Sequence, residues 1–522
     1  MMPKTTKKLD RLDIFFLVFL LPFITISLFL LNTPPTPDEG THSLISLFFH
    51  NLLTDLKESP TLSFSKIYDY AISYLVHYPK LSLYYPPLLH ILISFFYRIF
   101  DVSFFTGRFV VLMFSVSTLI LLYKFLYSWL NKKIALLGTI LFSIMPMIYY
   151  NSITVMTDIP YMFFFILAMY LYFKALNYNR KGYFVLASIV TALAFLIKWN
   201  SILILPIIFV YTLLEKRHQL KNVIMSIILT FFIVSPYLLI LWKTGLISIP
   251  FLSSLQVSAI AKQDPQFTSF QGWVYYANVL IKNYFTLPLF IAAIPAFIFY
   301  VLKKEKYWKL LVIWFLIYYV FFTILSNKEP RYMIPLIPTL IIPLSFFILS
   351  QKSKVSIALI IISVSILLIS TWQLISASFY YSPDFASIAK ETLKLDGNIL
   401  VVAEPSWFYS SQFIFTLASL DENEKFVYRA CSLSATSLDS LFSDYGVRYL
   451  IVPKPSDRGV DKIELIESLP NLKLNKEFST ATTSVLIYTH NDNVSQKQYC
   501  NFICVLNTTI CTEHIRPIDA LR

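Results

Sequence analysis

The chain has 522 residues, of which 57% are hydrophobic, 17% aromatic and only 14% charged, with a mean hydropathy of +0.64. Soluble globular domains run at about 45–50% apolar and about 25% charged, so this composition excludes an ordinary water-soluble enzyme, a nucleic-acid binder and a disordered chain. The net charge of +13 is spread between apolar runs of membrane length, where basic residues mark topology rather than a nucleic-acid footprint.

A bilayer core takes about 20 apolar residues of helix. The basic N-terminus (Lys4, Lys7, Lys8, Arg11) precedes a first span from Ile14 to Leu31. No small-residue cleavage site follows it, so the segment reads as an uncleaved anchor with a cytoplasmic start. Pro86 to Phe100 is apolar but short, opens on Pro-Pro and carries His90 and Arg98; it reads as an interfacial or re-entrant helix. Ten further spans follow: Phe109–Leu130, Ile134–Tyr150, Ile159–Phe173, Tyr183–Ile197, Ser201–Leu214, Val223–Trp242, Tyr284–Leu302, Leu310–Leu325, Met333–Leu349 and Val355–Ser376. The total expected is about 11 transmembrane helices. Basic clusters at Lys132/Lys133, Arg180/Lys181, Lys216/Arg217/Lys221, Lys303/Lys304/Lys306 and Lys352/Lys354 fall in every second connection, which places those connections in the cytoplasm. The opposite face then receives 32–107, the turns at 151–158 and 198–200, the 243–282 loop, 327–331 and everything after Trp372.

Beyond Tyr380 short apolar strands at Asn398–Ala403, Phe426–Ala430, Arg448–Val452 and Thr483–Tyr488 alternate with helix-length stretches at Ser406–Ser419, Ser437–Tyr445 and Asp461–Leu469. This alternation predicts a small α/β domain. The expected organisation is a transmembrane domain over 1–376, with 32–107 as its first outer loop, an extracytoplasmic α/β domain over 377–490, and a polar, cysteine-bearing tail over 491–522. All four cysteines, Cys431, Cys500, Cys504 and Cys511, lie outside the apolar spans. Two disulfides in an oxidising compartment are expected, with their pairing open. Cys500, Cys504, Cys511 and His514 match no common zinc spacing. Asn493 and Asn507 head glycosylation sequons.

Charges that the membrane does not require gather on the outer face. Asp38 and Glu39 follow three prolines directly after the first span. A carboxylate at a partly desolvated interface can act as a general base toward a hydroxyl; the plainer alternative is that Asp38 caps a helix starting near Thr41. Asp158 heads the fourth span, where it too can be a cap. Arg108, Lys198 and Arg331 sit at helix ends on the same side, and each alone can be an interface anchor. Three cations and three carboxylates together fit a membrane-embedded site for an anionic lipid head group, since arginine grips phosphate through two parallel hydrogen bonds. His77 and Tyr78, with Tyr85, add aromatic groups that can stack on a sugar ring or float the loop on the interface.

An Asp-Glu pair just after the first span resembles the GT-C superfamily of polyprenyl-phosphate-dependent glycosyltransferases, in the branch of the dolichyl-phosphate-mannose protein mannosyltransferases and the aminoarabinose transferases of lipid A. Tyr85-Pro86-Pro87-Leu88, Gly107-Arg108-Phe109, Thr157-Asp158-Ile159-Pro160 and Pro330-Arg331-Tyr332 with Pro335 and Pro338 support the resemblance over roughly residues 10–350. It implies a GT-C-like α-helical polytopic membrane protein with a small extracytoplasmic α/β domain. Asp38 would be the base, Glu39 would help position the acceptor, and Asp158 would be the second acidic residue. Arg108 and Arg331 would hold the donor phosphate, with Lys198 added on topology alone. His77, Tyr78 and Tyr85 would contact acceptor or sugar.

The implied partners are a polyprenyl-phosphate-linked sugar, a lipid, glycan or protein acceptor, and membrane lipids, with no nucleic acid. The relatives resembled act mostly without metal, so no metal site and no cofactor are expected. The α/β domain does not resemble the β-trefoil of eukaryotic protein mannosyltransferases, which leans away from a protein acceptor. The expected function is inverting sugar transfer at the outer face of the cell membrane. The rival is a lipid or oligosaccharide transporter or flippase. Transporters tend to carry ionisable residues at mid-membrane on interrupted helices and to show repeats; here the charges sit at one interface, only nine glycines occur and no repeat is visible.

Overall fold

The computed structural model describes residues 10–58, 63–79, 81–82, 85–243, 259, 263–380, 383–405, 408–420, 426–429, 441–455, 460–469, 472–479, 483–490, 500–503 and 508–511. In chain order the helices are α1 (Arg11–Leu30), α2 (Pro37–Glu58), α3 (Phe64–His77), α4 (Leu88–Ile99), α5 (Phe104–Trp129), α6 (Lys132–Ser143), α7 (Pro146–Ser152), α8 (Asp158–Tyr178), α9 (Lys181–Ile197), α10 (Ile204–Glu215) and α11 (Leu220–Lys243). They continue with α12 (Phe270–Val279), α13 (Thr286–Leu302), α14 (Trp308–Ile324), α15 (Ile337–Ser350) and α16 (Ser353–Tyr380). The C-terminal part holds α17 (Phe385–Leu393), β1 (Asn398–Val401), α18 (Ser410–Leu420), β2 (Val427–Arg429), β3 (Val447–Lys454), α19 (Val460–Glu467), β4 (Leu472–Ser479), β5 (Ser484–His490), β6 (Cys500–Ile503) and β7 (Thr508–Cys511). The chain forms two compact units: Met1–Leu31, Pro86–Leu88 and Val111–Ile375 in one, and Asn32–Tyr85, Leu89–Val110 and Ser376–Arg522 in the other.

In the first unit every apolar run of the sequence contains a helix. Helix α1 shows why: it buries Phe16, Leu20, Phe23 and Ser27, one stripe at helical spacing, and exposes Phe15, Val18, Leu21 and Phe29, as lipid contact allows. Among the described residues seven helices are long and apolar enough to cross a membrane, or eight if the bent pair α6–α7 is one span. That falls short of the expected eleven. Helices α9 and α14 have 17 residues each and α10 has 12, and α4, also 12 residues, is about 18 Å long at 1.5 Å per residue, too short for a bilayer core of about 30 Å. The run from Ile134 to Tyr150 is broken by 72° between α6 and α7, where Pro146 opens the second piece. Thr371 Oγ1 donates to the Ile144 carbonyl at the break, at 2.6 Å. Between α12 and α13, Leu280–Phe285 forms a π-helix, and Thr286 after it has φ of 61° and ψ of 159°, a region that strains a β-branched residue.

The second unit joins the helices of the first outer loop to the C-terminal part. Its five-stranded sheet has the order β2-β1-β3-β5-β4, with β1 parallel to β2 and β3, and β5 antiparallel to β3 and β4. The expected strands are β1, β2, β3 and β5. Edge strand β4 went unforeseen because its residues, Leu-Lys-Leu-Asn-Lys-Glu-Phe-Ser, are mostly exposed and lack apolar alternation. The sheet's core contains Leu400, Val402, Tyr428, Leu450, Val452 and Leu486, and also Val76 of α3. Helix α18 packs along α2, and its Phe415 lies edge-on to Phe104 at the start of α5. The expected disulfides involve Cys431 and Cys504, outside the described residues, as are the sequon asparagines Asn493 and Asn507; backbone pairing sets Cys500 opposite Cys511.

Gly40 of α2 is where α18 comes closest. A Cβ there would lie 2.3 Å from the backbone nitrogen of Gln412 and from the Ser411 carbonyl carbon. Backbone cannot yield as a side chain can, so Gly40→Ala should cost at least the ~1–3 kcal/mol of overpacking, read as a lowered denaturant midpoint. A variant as stable as the wild type would contradict this contact.

Candidate active site

The residues singled out in the sequence fall into two groups, one in each unit. In the second unit, Pro37 opens α2, a place proline tolerates because no backbone donor is needed there. Asp38 therefore sits half-buried in the first helical turn rather than at the cap. The cap is Thr36. Its N–H and its hydroxyl both donate to Glu39 Oε2, at 2.7 and 2.9 Å. Thr36-x-x-Glu39 is thus half of a capping box, a signal present in the sequence that the reading of Asp38 and Glu39 as a pair passed over.

Glu39 is also the partner of Arg108, and both side chains are 0% exposed. Arg108 Nε donates to Glu39 Oε1 at 2.7 Å and Nη2 to Oε2 at 2.7 Å, the two-pronged geometry that suits guanidinium and carboxylate. Its Nη1 donates to the carbonyl and hydroxyl of Thr33, and Nη2 also to the carbonyl of Pro34. All five N–H donors of the guanidinium are thereby engaged within the chain. Arg108, expected at the donor phosphate, instead ties the proline-rich segment before Asp38 to the head of α5. Glu39, expected near the acceptor, is held in the same buried pair.

The aromatic candidates are placed as follows. His77 is buried, with Nδ1 on the Ser73 carbonyl at 2.8 Å and its ring 4.2 Å from that of Phe426, so it packs the junction of α3 with the sheet rather than offering a face to a sugar. Tyr78 is half-buried against Tyr74, and Tyr85 lies edge-on to His42. His42, one turn after Asp38, is hydrogen-bonded to His90 of α4 at 3.0 Å with both rings buried, a pairing not foreseen. Lys80 and Tyr84 lie outside the described residues.

The first unit brings together the other three. Asp158 begins α8 but does not cap it: Thr157 holds that position, and the Asp158 carboxylate turns to Lys198 Nζ at 2.6 Å, with Arg331 Nε 3.9 Å from its second oxygen. Asp158 is buried, while Lys198 and Arg331 each keep part of the side chain exposed. Lys198 ends α9, and its ammonium lies 5.2 Å from the centre of the Tyr332 ring. Burial holds Lys198 below the ordinary lysine range, against the pull of Asp158. Arg331 is carried by the 3₁₀ segment Pro330–Leu336, whose first carbonyl accepts from the Tyr284 hydroxyl of the π-helix at 2.9 Å. Two cationic side chains thus meet at one buried carboxylate, with Glu329 as a second negative charge acting on Lys198, and guanidinium and ammonium groups side by side suit a phosphate. Among the described residues no three His, Cys, Asp or Glu side chains come together as a metal would require.

Residues 85–242 match the family described as dolichyl-phosphate-mannose-protein mannosyltransferase. A relative in Aquifex aeolicus (strain VF5), an uncharacterized protein, is 24% identical over 277 residues; the match takes in 52% of this chain and spans about half, 54%, of that protein. Among solved structures the chain is similar to ArnT from Cupriavidus metallidurans, with a TM-score of 0.64 at 14% identity over 91% of this chain and 97% of that one. The same protein bound to undecaprenyl phosphate matches with a TM-score of 0.64, at 14% identity over 92% of this chain and 98% of that one. The arabinofuranosyltransferase AftD from Mycobacteria matches with a TM-score of 0.52 at 15% identity, over 91% of this chain and 42% of that one. The chain thus shares the fold of ArnT, residues 85–242 match a mannosyltransferase family, and its several membrane-length helices fit a multi-pass membrane protein.

Proposed function

We propose that this protein transfers a sugar from a polyprenyl-phosphate carrier to a hydroxyl of a lipid, glycan or protein acceptor on the outer face of the cell membrane, with inversion at the anomeric carbon. The observation that carries this reading is the convergence of Lys198 and Arg331 on buried Asp158, a pair of cationic side chains suited to gripping a lipid phosphate. ArnT, of the same fold, is known with undecaprenyl phosphate bound, which supports a carrier of that class.

In the proposed reaction Asp38 takes the proton of the acceptor hydroxyl as its oxygen attacks the anomeric carbon. The bond from that carbon to the phosphate oxygen breaks, and the polyprenyl phosphate departs with the electron pair. Lys198 and Arg331 hold the phosphate and oppose the charge that grows on it, while Asp158 fixes where the two cations point. Arg108 and Glu39 act at one remove, by setting the position of the segment that carries Asp38. The N-terminus lies in the cytoplasm and the C-terminal domain outside.

The test is the full-length protein in liposomes with undecaprenyl-phosphate-linked mannose, glucose and arabinose as donors and a lipid extract as acceptor pool, reading release of undecaprenyl phosphate and the anomeric configuration of the product. Absence of transfer from every such donor, with a folded protein, overturns the proposal. Arg331→Met should raise KM for the donor by about 10–100-fold, the equivalent of ~1.5–3 kcal/mol for a hydrogen bond to a charged group. An unchanged donor KM would remove Arg331 from the phosphate site.

A further inference from the structure

We infer that helix α18 of the C-terminal domain sets the position of the segment bearing Asp38, with Gln412 as a positioning residue; this rests on the role proposed for Asp38. The segment Pro34-Pro35-Thr36-Pro37 contains three prolines and so has a single backbone N–H, that of Thr36. It is held instead through its carbonyls. Arg108 takes those of Thr33 and Pro34, and the Glu39 N–H takes that of Thr36. The remaining two belong to α18: Gln412 Nε2 donates to the Pro35 carbonyl at 2.6 Å, and Ser411 Oγ to the Pro37 carbonyl at 3.2 Å.

Several features make this grip directional. Gln412 is fully buried and its Oε1 accepts the N–H of Tyr409 at 2.9 Å, so its amide has one orientation that satisfies both neighbours. Gly40, two residues beyond Asp38, lacks the Cβ that would push α18 away. Helix α18 is tied in turn to the sheet. The N–H of Ser410 donates to Glu404 Oε1 at 3.1 Å, and Arg429 of β2 donates to both oxygens of Glu404, at 3.2 and 2.6 Å. A line of contacts thus runs from the sheet to the residue ahead of Asp38, and it gives the C-terminal domain a part in the transfer step.

Two variants separate positioning from plain stability. Gln412→Glu keeps an oxygen for the Tyr409 N–H and sets a second oxygen against the Pro35 carbonyl; Ser411→Ala is a milder change that keeps the fold. With undecaprenyl-phosphate-linked sugar as donor, Gln412→Glu should lower kcat by about 10²-fold, the effect of a displacement near 1 Å, and Ser411→Ala by several-fold, both leaving donor KM within twofold. The second readout needs no activity: in an Asp38→Cys background, the rate of labelling by a methanethiosulfonate reagent should rise at least fivefold when Gln412→Met is added. An unchanged labelling rate, or a full kcat per folded molecule in both α18 variants while Asp38→Asn is inactive, overturns the inference and leaves the role of Asp38 standing. Full activity of Asp38→Asn removes the catalytic role instead, and the labelling result then decides the positioning alone.

Discussion

Asp38→Asn protein should fold normally and transfer sugar about 10²–10⁴-fold more slowly than the wild type, the range for loss of a positioned general base. Asparagine has the shape of aspartate but cannot take up a proton from an attacking hydroxyl. The fold should be kept, because asparagine retains the size and the hydrogen-bonding oxygen of the side chain, and loss of the charge in the first helical turn costs no more than ~2 kcal/mol through the helix dipole. The neighbouring acid cannot stand in for it: Glu39 has both oxygens engaged by Arg108 and is closed off from solvent. The check is a single-turnover rate of undecaprenyl phosphate release alongside a denaturant titration. A wild-type rate in folded Asp38→Asn protein would move the base elsewhere.

Arg108→Met should act in the opposite way, through stability. Methionine follows the same path through the core but brings no donors, so the carboxylate of Glu39 stays buried opposite an apolar group and the carbonyls of Thr33 and Pro34 lose the guanidinium. Removing one partner of a buried pair costs about 3–5 kcal/mol, more than the pair adds over apolar residues of the same size. The double variant Glu39→Gln/Arg108→Met should therefore be more stable than the sum of the two single changes allows. Denaturant titration in micelles gives these numbers. Arg108→Met protein within ~1 kcal/mol of the wild type, but with a raised donor KM, would restore Arg108 to the lipid phosphate.

That contrast shows where the sequence was readable. The membrane helices were legible because an apolar run in a chain with so little charge has few other places to go, but the 72° break at Pro146 lies inside Ile134–Tyr150, a run whose apolar pattern reads as one span. Helices α2 and α3 were not, since their composition is mixed and their buried faces serve a local core around Phe48, Tyr70 and Tyr74. For the site, the sequence supplied residue types and helix ends but not partners. Arg108 and Arg331 look alike as cations at helix ends; only the fold distinguishes one with five engaged donors from one resting 3.9 Å from a carboxylate. The pairing of Asp158 with Lys198 links residues 40 apart in sequence through the return of α9 beside α8, which no local pattern encodes.

The π-helix at Leu280–Phe285 acts as a phase shifter. Each residue of an α-helix advances about 100° around the axis, and a π turn absorbs roughly one residue more than an α turn. Tyr284, at that turn, is thereby aimed at the Pro330 carbonyl, one residue before Arg331. Deleting a single residue there would let the π turn close into an α turn with its flanks in phase, but would carry Tyr284 away from the Pro330 carbonyl. The strain at Thr286 sits where that extra residue is handed over to α13.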